Sequence, residues 1–334
     1  MFTNKNDKYQ NYFDEYSDFA NKNDLGNKYL TESSKIIPCD KYRILVYKQS
    51  SDTKIRKKTF LIIPSLFNSP EIFFLNKDKH FIDNLREMGD VFLLDWAEIQ
   101  DSPYSLNQYI KKIIIAIEQI SAELNSEINL IGHCIGGILA LLAATQRQNS
   151  IKTLTLLTTP WDFSHFNIII TMYKMLDLDN YIKSLDMVPK LYIQILFFLL
   201  FPDYFSVKVD KYSKCKTFEE KELFFRIEQW LMSGNSLPKT TYYEIMEDIA
   251  TKNILNSMKW EMNNKIIAPS SFTKPVYQLI ARDDKIVPLT TILSLHKALK
   301  QSTIFEVESG HIGYLISSKI NIFFKSYKSC LGGL

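Results

Sequence analysis

The four cysteines of this 334-residue chain include no closely spaced pair. Without a C-x-x-C spacing, neither a zinc ribbon nor a disulfide framework is predicted, and a reducing compartment is the better match. An excess of charge of one sign is also missing, since 40 Lys and Arg residues stand against 37 Asp and Glu residues. The formal net charge of +3 argues against a dedicated nucleic-acid-binding protein.

Long apolar runs are absent as well. The longest, Ile195 to Phe201, is far shorter than the roughly 20 residues that a transmembrane helix needs. The polar N-terminal residues lack the apolar core that signal peptides carry. Because 46% of the residues are hydrophobic, the chain can still bury a large core. We therefore expect a soluble, cytoplasmic globular protein, and no motif in it predicts a metal site.

Short apolar segments alternate with amphipathic helical patterns from Arg43 onward. This alternation is typical of a mostly parallel sheet with helices on both faces. It stops between residues 161 and 272, where helical and aromatic-rich patterns predominate and no strand is predicted. We therefore predict an α/β core of residues 41–160 and 273–334, with residues 161–272 as an inserted helical lid and residues 1–40 as an N-terminal helical arm.

The N-terminal arm carries a stripe of aromatic residues. Tyr9, Tyr12, Phe13, Tyr16 and Phe19 recur at spacings of three and four, which is the pattern of an amphipathic helix. The stripe either docks on the body of its own chain or faces a partner. The sequence leaves both possibilities open.

The most informative segment runs from a strand-like stretch into Gly132-His133-Cys134-Ile135-Gly136-Gly137 and then into a helix rich in small residues. Gly-x-Cys-x-Gly has the spacing of a nucleophile elbow, with cysteine in place of serine. Glycines two residues to either side of Cys134 remove side chains that would collide in the strained turn. The turn also aims a helix N-terminus at the sulfur, where it stabilises negative charge. A lone buried cysteine is usually only a small hydrophobe, but this context predicts that Cys134 is a catalytic nucleophile.

A catalytic thiol needs a base, and the chain has five histidines. His311 directly follows the last predicted strand, where enzymes with a nucleophile elbow carry their base. His133 abuts the nucleophile, but its side chain is expected to point away from the sulfur. His80 and His296 are predicted to be surface or packing residues, and His165 lies in the insertion. We therefore predict His311 as the base.

The acid that orients the base is expected in the loop after the preceding strand. That loop contains Asp283 and Asp284. The order nucleophile, acid, base along the chain is the order expected for this kind of enzyme. Spacing alone does not choose between the two adjacent carboxylates.

These segments resemble the motifs of polyhydroxyalkanoate synthases. The resemblance covers the chain from about Tyr42 to Ser317. The short N-terminal arm of the chain resembles that of the class III or IV catalytic subunits. The segments that carry it are Gly-His-Cys-Ile-Gly-Gly, Asp-Asp-Lys-Ile-Val-Pro and Ser-Gly-His-Ile-Gly, together with Leu61–Asn68, Phe92–Trp96 and Thr159–Phe163.

The resemblance implies an α/β-hydrolase fold and an acyltransferase that moves 3-hydroxyacyl groups from coenzyme A thioesters onto a growing polyester. It implies Asp284 as the acid, because that position matches the family's. It also implies an oxyanion hole built from the backbone N–H groups of Ile135 and Phe67. No metal or redox cofactor is implied, since coenzyme A leaves as a product of the substrate thioester.

The partners that the resemblance implies are the 3-hydroxyacyl-CoA substrate, the polyester chain or its granule, a second copy of the chain and a second synthase subunit, but no nucleic acid. Two other functions fit the same residues. A cysteine thioesterase or hydrolase of the same fold would pass the acyl group to water, and a granule-associated subunit would be catalytically idle. Lys285 stands where the family commonly has histidine, His133 where it usually has an apolar residue, and the lid matches only loosely.

Overall fold

An eight-stranded sheet forms the centre of the structure, a computed structural model that describes residues 3–22, 28–50, 57–76, 80–96 and 103–332. Across the sheet the strands, numbered along the chain, follow the order β1-β2-β4-β3-β5-β6-β7-β8. Parallel pairing joins β4, β3, β5, β6, β7 and β8, whereas β2 runs antiparallel to β1 and β4. The predicted mostly parallel sheet is confirmed. The strands are β1 (Lys35–Cys39), β2 (Tyr42–Tyr47), β3 (Lys58–Ile63), β4 (Gly89–Asp95), β5 (Ile128–His133), β6 (Ile151–Leu157), β7 (Val276–Ala281) and β8 (Ser302–Val307).

Helices occupy most of the remaining described residues. The α-helices are α1 (Thr3–Lys22), α2 (Lys28–Thr31), α3 (Phe81–Arg86), α4 (Leu106–Leu124), α5 (Ile135–Gln146), α6 (Asn167–Met175), α7 (Asp179–Lys183), α8 (Lys190–Leu200), α9 (Tyr204–Tyr212), α10 (Phe218–Met232), α11 (Lys239–Tyr243), α12 (Leu289–Ala298) and α13 (Lys319–Cys330). Short 3₁₀ helices lie at Pro70–Phe74, Gln148–Ser150, Ser164–Phe166 and Pro269–Ser271, and a π-helix spans Glu244–Thr251.

The sheet is covered on both faces. Helices α4 and α5 bury side chains such as Ile113 and Leu139 against one face. Helices α3 and α13 bury side chains such as Leu85 and Phe324 against the other. Every residue of β5 is buried, as expected for a central parallel strand that is covered on both sides. Because β5, β6, β7 and β8 are parallel, the carboxyl ends of β5, β7 and β8 lie at the same edge of the sheet. Ligand sites of parallel sheets lie at this edge.

Helix α4 shows how local sequence sets the boundaries of a core helix. Ser105 and Gln108 form a capping box, in which each side chain bonds the other's backbone N–H. Asn125 ends the helix in the left-handed conformation with φ 43°. Between these caps, apolar residues at spacings of three and four, such as Ile110, Ile113 and Ile117, face the core.

The segment between β6 and β7 is almost entirely helical, with α6 to α11 and the π-helix. The expectation of no strand in it needs a small correction. Met187–Val188 pairs with Leu237–Pro238, and Glu261–Met262 pairs with Lys265–Ile266, both antiparallel. Pairs of two residues are too short to leave an alternation in the sequence.

Helix α1 docks on α9 and α10 of its own chain, which is the first of the two possibilities for the aromatic stripe. Tyr12 is buried, and its ring lies 5.3 Å from that of Tyr212 and 6.1 Å from that of Phe225. Beside it, Lys208 and Glu228 form a buried ion pair.

The prediction of a helical arm over residues 1–40 is wrong for its last residues. Lys35–Cys39 form β1, the edge strand of the main sheet. Pro38 lowers the strand signal of this short segment, yet proline is tolerated on an edge strand.

No single helix within the described ranges combines the length and the apolar composition needed to cross a bilayer. Only α8 and α9 counted together, at 84° to each other, reach that length and composition.

Candidate active site

Cys134 forms the whole connection between β5 and α5. Its backbone has φ 54° and ψ −128°, a conformation that non-glycine residues rarely adopt and that clusters at functional sites. The Cys134 N–H donates to the carbonyl of Leu157 at 2.9 Å, and the N–H of Gly137 donates to the Cys134 carbonyl at 2.9 Å. The sheet and the helix therefore hold the strained residue from both sides, as the predicted elbow requires.

Two glycines make this turn possible. A Cβ atom on Gly132 would lie 2.4 Å from the Cα of Gly137, and one on Gly136 would lie 2.2 Å from the carbonyl oxygen of Pro64. Both distances are far below van der Waals contact with backbone atoms that have little freedom to move. The helix α5 can approach the sheet this closely only because both positions lack a side chain.

His311 and Asp284 meet beside Cys134. The Nδ1–H of His311 donates to Oδ2 of Asp284 at 2.7 Å, and Cys134 lies close enough to the same imidazole to influence its pKa. Oδ1 of Asp284 accepts from the backbone N–H groups of Ile286 and Val287, both at 2.8 Å. The carboxylate is thus fixed by its own loop before it reaches the imidazole.

The choice that spacing left open is resolved by geometry. Asp284 is buried and bonded to His311, whereas the neighbouring Asp283 side chain is exposed. The backbone N–H of Asp283 donates to the carbonyl of Ser309, which ties the loop after β7 to the loop after β8. The structure therefore brings together the three side chains named from the sequence, Cys134, Asp284 and His311. That they are catalytic stays a prediction.

The pKa values of the two adjacent imidazoles, His311 and His133, are shifted in opposite directions. Burial favours the neutral form of His311, but the interactions with Asp284, which include a hydrogen bond, and with Cys134 outweigh it and raise the pKa of His311 to about 10. Burial, assisted by the charge of His311, lowers the pKa of His133 to about 3. Of the two rings, only His311 is therefore placed to carry a proton near neutral pH.

The other histidines of the chain have different surroundings from His311. The His133 ring is buried, and its centre lies 5.7 Å from that of the Phe73 ring and 5.6 Å from that of the His311 ring. His80 caps helix α3, and His165 is exposed in a 3₁₀ helix. That His133 points away from the sulfur stays a prediction, and its contact with the ring of His311 was not foreseen.

The two N–H groups predicted to form an oxyanion hole lie in different settings. Ile135 is the first residue of α5, so its N–H belongs to the set that has no partner within the helix. The N–H of Phe67 donates to the Ser65 hydroxyl at 3.3 Å, a long and therefore weak bond. For Phe67 to bind an oxyanion, this bond must be exchanged. The oxyanion role of both residues remains a prediction.

A pocket with apolar walls lies over the sulfur. Its volume is about 80 Å³, and Cys134, Phe67 and Val287 contribute to its lining from the core side. The segment between β6 and β7 supplies the opposite side, including Phe197 of α8 and Met246 of the π-helix. The rings of Phe67 and Phe197 meet edge to face at 5.9 Å. Such a pocket suits the apolar part of an acyl group.

Sequence reasoning missed several residues that surround this site. Tyr314, three residues after His311, is fully buried next to the triad, and burial raises the pKa of its phenol. The π-helical wall of the pocket was also missed. Neither leaves a signal in a single sequence, because a buried tyrosine and an apolar helix have the patterns of ordinary core. Among the described residues, no group of three or more His, Cys, Asp or Glu side chains could hold a metal ion.

Comparisons with known proteins identify relatives of the chain. No family model matches the chain. It is 24% identical over 294 residues to the poly(3-hydroxyalkanoate) polymerase subunit PhaC of Haloferax mediterranei, covering 84% of this chain and 59% of that protein. It is 25% identical over 292 residues to the PhaC subunit of Thiocystis violacea, covering 84% of this chain and 82% of that protein. The resemblance to polyhydroxyalkanoate synthases is confirmed.

The fold is that of the α/β-hydrolases. A hydrolase from Pseudomonas aeruginosa PA01 superposes with a TM-score of 0.55 at 11% identity, over 90% of this chain and 98% of that one. At this identity the match speaks for the fold alone.

Proposed function

We propose that this chain, a relative of the PhaC polymerase subunits, is a polyester synthase that transfers 3-hydroxyacyl groups from coenzyme A thioesters to a growing polyhydroxyalkanoate chain. The observation that carries the proposal is the Cys134–His311–Asp284 arrangement under a pocket with apolar walls. A thiol activated by a base is suited to acyl transfer. The walls around it favour a hydroxyl acceptor over bulk water.

In the first half-reaction, His311 accepts the proton of the Cys134 thiol while Asp284 holds the imidazole by Nδ1. The thiolate attacks the thioester carbonyl, and the N–H groups of Ile135 and Phe67 stabilise the oxyanion that forms. The intermediate collapses, the bond between the carbonyl carbon and the coenzyme A sulfur breaks, and His311 returns the proton to the departing thiolate. The product is an acyl group on Cys134 and free coenzyme A.

In the second half-reaction, His311 takes the proton from the 3-hydroxyl of a monomer or of the chain end. The alkoxide attacks the carbonyl carbon of the Cys134 thioester, the carbon–sulfur bond breaks, and the thiolate of Cys134 recovers the proton from His311. An oxygen ester is formed, and the enzyme is restored. Side chains and backbone N–H groups are the only groups that this scheme uses.

A cysteine suits this sequence of steps better than a serine does. Attack of Cys134 on a thioester gives another thioester, so the acyl group keeps its activation while it is bound to the enzyme. Transfer to a hydroxyl then runs downhill. On a serine, the acyl-enzyme would be an oxygen ester of about the same reactivity as the product, and chain growth would be close to equilibrium.

The acceptor side of the reaction needs an apolar environment outside the pocket. The segment between β6 and β7 exposes large apolar side chains, among them Ile168, Met175 and Phe218, each more than 70% exposed. Apolar surface of this kind is typical of contact with a partner. We propose that these exposed side chains contact the polyester chain or its granule, a second copy of the chain or a second synthase subunit in the cytoplasm.

Product analysis tests the proposal. The purified chain is incubated with 3-hydroxybutyryl-CoA, and coenzyme A, free hydroxy acid and polymer are quantified against a Cys134→Ala control. Polymer that depends on Cys134 is the expected result. Free 3-hydroxybutyrate with no polymer would identify a thioesterase, and absence of both products, with Cys134 never acylated, would identify an idle subunit.

A further inference from the structure

Three side chains of the pocket wall come from one unusual element. Ile245, Met246 and Ala250 all lie on the π-helix Glu244–Thr251 and all line the pocket above Cys134. In an α-helix, Ile245 and Ala250 would point about 140° apart. A turn closed by i→i+5 bonds returns to the same side after about five residues, so both face the pocket. The N–H of Lys252 donates to the carbonyl of Glu247 at 2.8 Å, which is such a bond.

The π-helix is anchored to the core at its beginning. Glu244 Oε2 accepts the backbone N–H of Leu106, the first residue of α4, at 2.5 Å. An ion pair of 3.1 Å between Glu247 and Lys174 ties the middle of the π-helix to the last turn of α6. The first of these contacts ties the wall to α4, which packs on the sheet that carries the nucleophile.

A second anchor holds the residues after the π-helix. Asn253 donates from Nδ2 to Oδ1 of Asp162 at 2.8 Å and accepts the backbone N–H of Phe163, a residue of the pocket, at 3.1 Å. Asp162 also accepts from Ser294 of α12 at 3.2 Å. By contrast, the residues that α8 contributes to the pocket, such as Phe197, are only half-buried. The π-helix is the better-fixed wall of the two.

The size of the pocket sets a limit on what it can hold. Its volume of about 80 Å³ is well below the roughly 150 Å³ of an apolar cavity that accepts benzene. No side chain on its walls other than the Cys134 thiol offers a polar atom. An acyl group on Cys134 can therefore place its alkyl substituent there, while its 3-hydroxyl must face the base and the opening.

We propose that Met246 and Ala250 are specificity-determining residues, which set the longest acyl side chain that the enzyme accepts. The proposal rests on the proposed function, because it assigns the pocket to the acyl group carried by Cys134. Met246 fills space that a longer substituent would need, and Ala250 leaves the space that a short one occupies. One methylene too many or too few in such a pocket changes specificity by about 10- to 200-fold.

The test compares relative rates in two pocket variants. Initial rates of coenzyme A release are measured with 3-hydroxypropionyl-, 3-hydroxybutyryl- and 3-hydroxyhexanoyl-CoA, whose C3 substituents are hydrogen, methyl and propyl. Met246→Ala should raise the ratio of kcat/KM for the hexanoyl substrate to kcat/KM for the butyryl substrate by about tenfold or more. Ala250→Val should lower the ratio of kcat/KM for the butyryl substrate to kcat/KM for the propionyl substrate by a similar factor.

Ile249→Ala is the matched control. Ile249 is fully buried on the same π-helix but is not part of the pocket lining. Its truncation removes a comparable volume and destabilises the chain in the same range as Met246→Ala, yet it should leave both ratios within twofold of wild type. A ratio of rates does not depend on the folded fraction, so partial unfolding does not obscure the result.

Unchanged ratios in Met246→Ala and Ala250→Val would overturn the proposal, and so would an equal shift in Ile249→Ala. A failure of the proposed function is seen separately, because coenzyme A release without polymer leaves these ratios measurable. If the wild type releases no coenzyme A, the pocket is tested with iodoacetamides of increasing N-alkyl length that alkylate Cys134. Met246→Ala should then favour the longer reagents, and an unchanged preference would refute the assignment.

Discussion

Replacement of Asp284 by asparagine should reverse the tautomer of the catalytic imidazole. Oδ1 of Asp284 accepts two backbone N–H groups, from Ile286 and Val287, both at 2.8 Å. In Asp284→Asn the amide oxygen must keep that place, because an amide nitrogen has no lone pair to offer. The amide N–H₂ group then faces Nδ1 of His311, which must accept. The proton moves to Nε2, and the imidazole can no longer take a proton from Cys134.

The size of the effect follows from the bond that is lost. A hydrogen bond to a charged group contributes about 1.5–3 kcal/mol, which corresponds to a rate loss of roughly 10- to 150-fold. The wrong tautomer adds to this loss, since the equivalent substitution in a serine protease lowers kcat by about 10⁴. We therefore expect the rate loss in Asp284→Asn to lie between about 10-fold and about 10⁴-fold. Little stability should be lost, because both backbone hydrogen bonds to the side chain survive.

Two assays measure the effect of Asp284→Asn. The first is coenzyme A release from 3-hydroxybutyryl-CoA, and the second is the rate of Cys134 alkylation by iodoacetamide, which reports the thiolate without any substrate. Asp283→Asn is the control, because its side chain is exposed and should change neither rate by more than about twofold. Asp284→Asn within threefold of wild type in both assays, or Asp283→Asn as slow as Asp284→Asn, would refute the reasoning.

Two further predictions concern the elbow and its neighbour. Gly136→Ala places a Cβ 2.2 Å from the carbonyl oxygen of Pro64 and should lower the free energy of unfolding in urea by about 1–3 kcal/mol. Gly310→Ala, whose Cβ would lie 4.0 Å from the carbonyl oxygen of Asp283, should be tolerated. Equal stability of the two variants would contradict this prediction. Burial lowers the pKa of His133 from 6.5 to about 3, so stability is lost as pH falls through this window. His133→Phe should remove this loss, about 1.4 kcal/mol per pH unit, between pH 6.5 and 5; an unchanged slope would contradict it.

Much of the fold could be predicted from the sequence because its periodicity is strong. The apolar spacing over residues 106–124 predicts α4 at its observed bounds, and caps at Ser105 and Asn125 reinforce it. The edge strand β1 was missed because five residues with a proline carry little strand signal. The π-helix was missed because its wider turn differs from an α-helix only in hydrogen bonding, which local sequence does not encode.

The candidate site was predictable to the extent that its geometry is local. Cys134 is confined by a turn that needs glycine at Gly132 and Gly136, so its motif is visible in the sequence. Asp284 and His311 meet because β7 and β8 are neighbours in the sheet, and this could be anticipated only from the order of the fold. The ring contact between His133 and His311 depends on tertiary packing, which a single sequence does not reveal.

The acyl-enzyme itself tests the central claim most directly. The chain is mixed with 3-hydroxybutyryl-CoA, quenched in acid within the first turnover, digested and mapped by mass spectrometry. We predict one hydroxybutyryl group or a short oligomer of it on Cys134, released by neutral hydroxylamine as a thioester is, and no adduct on Cys39, Cys215 or Cys330. Turnover of coenzyme A with Cys134 unmodified, or with the acyl group on another cysteine, would contradict the account.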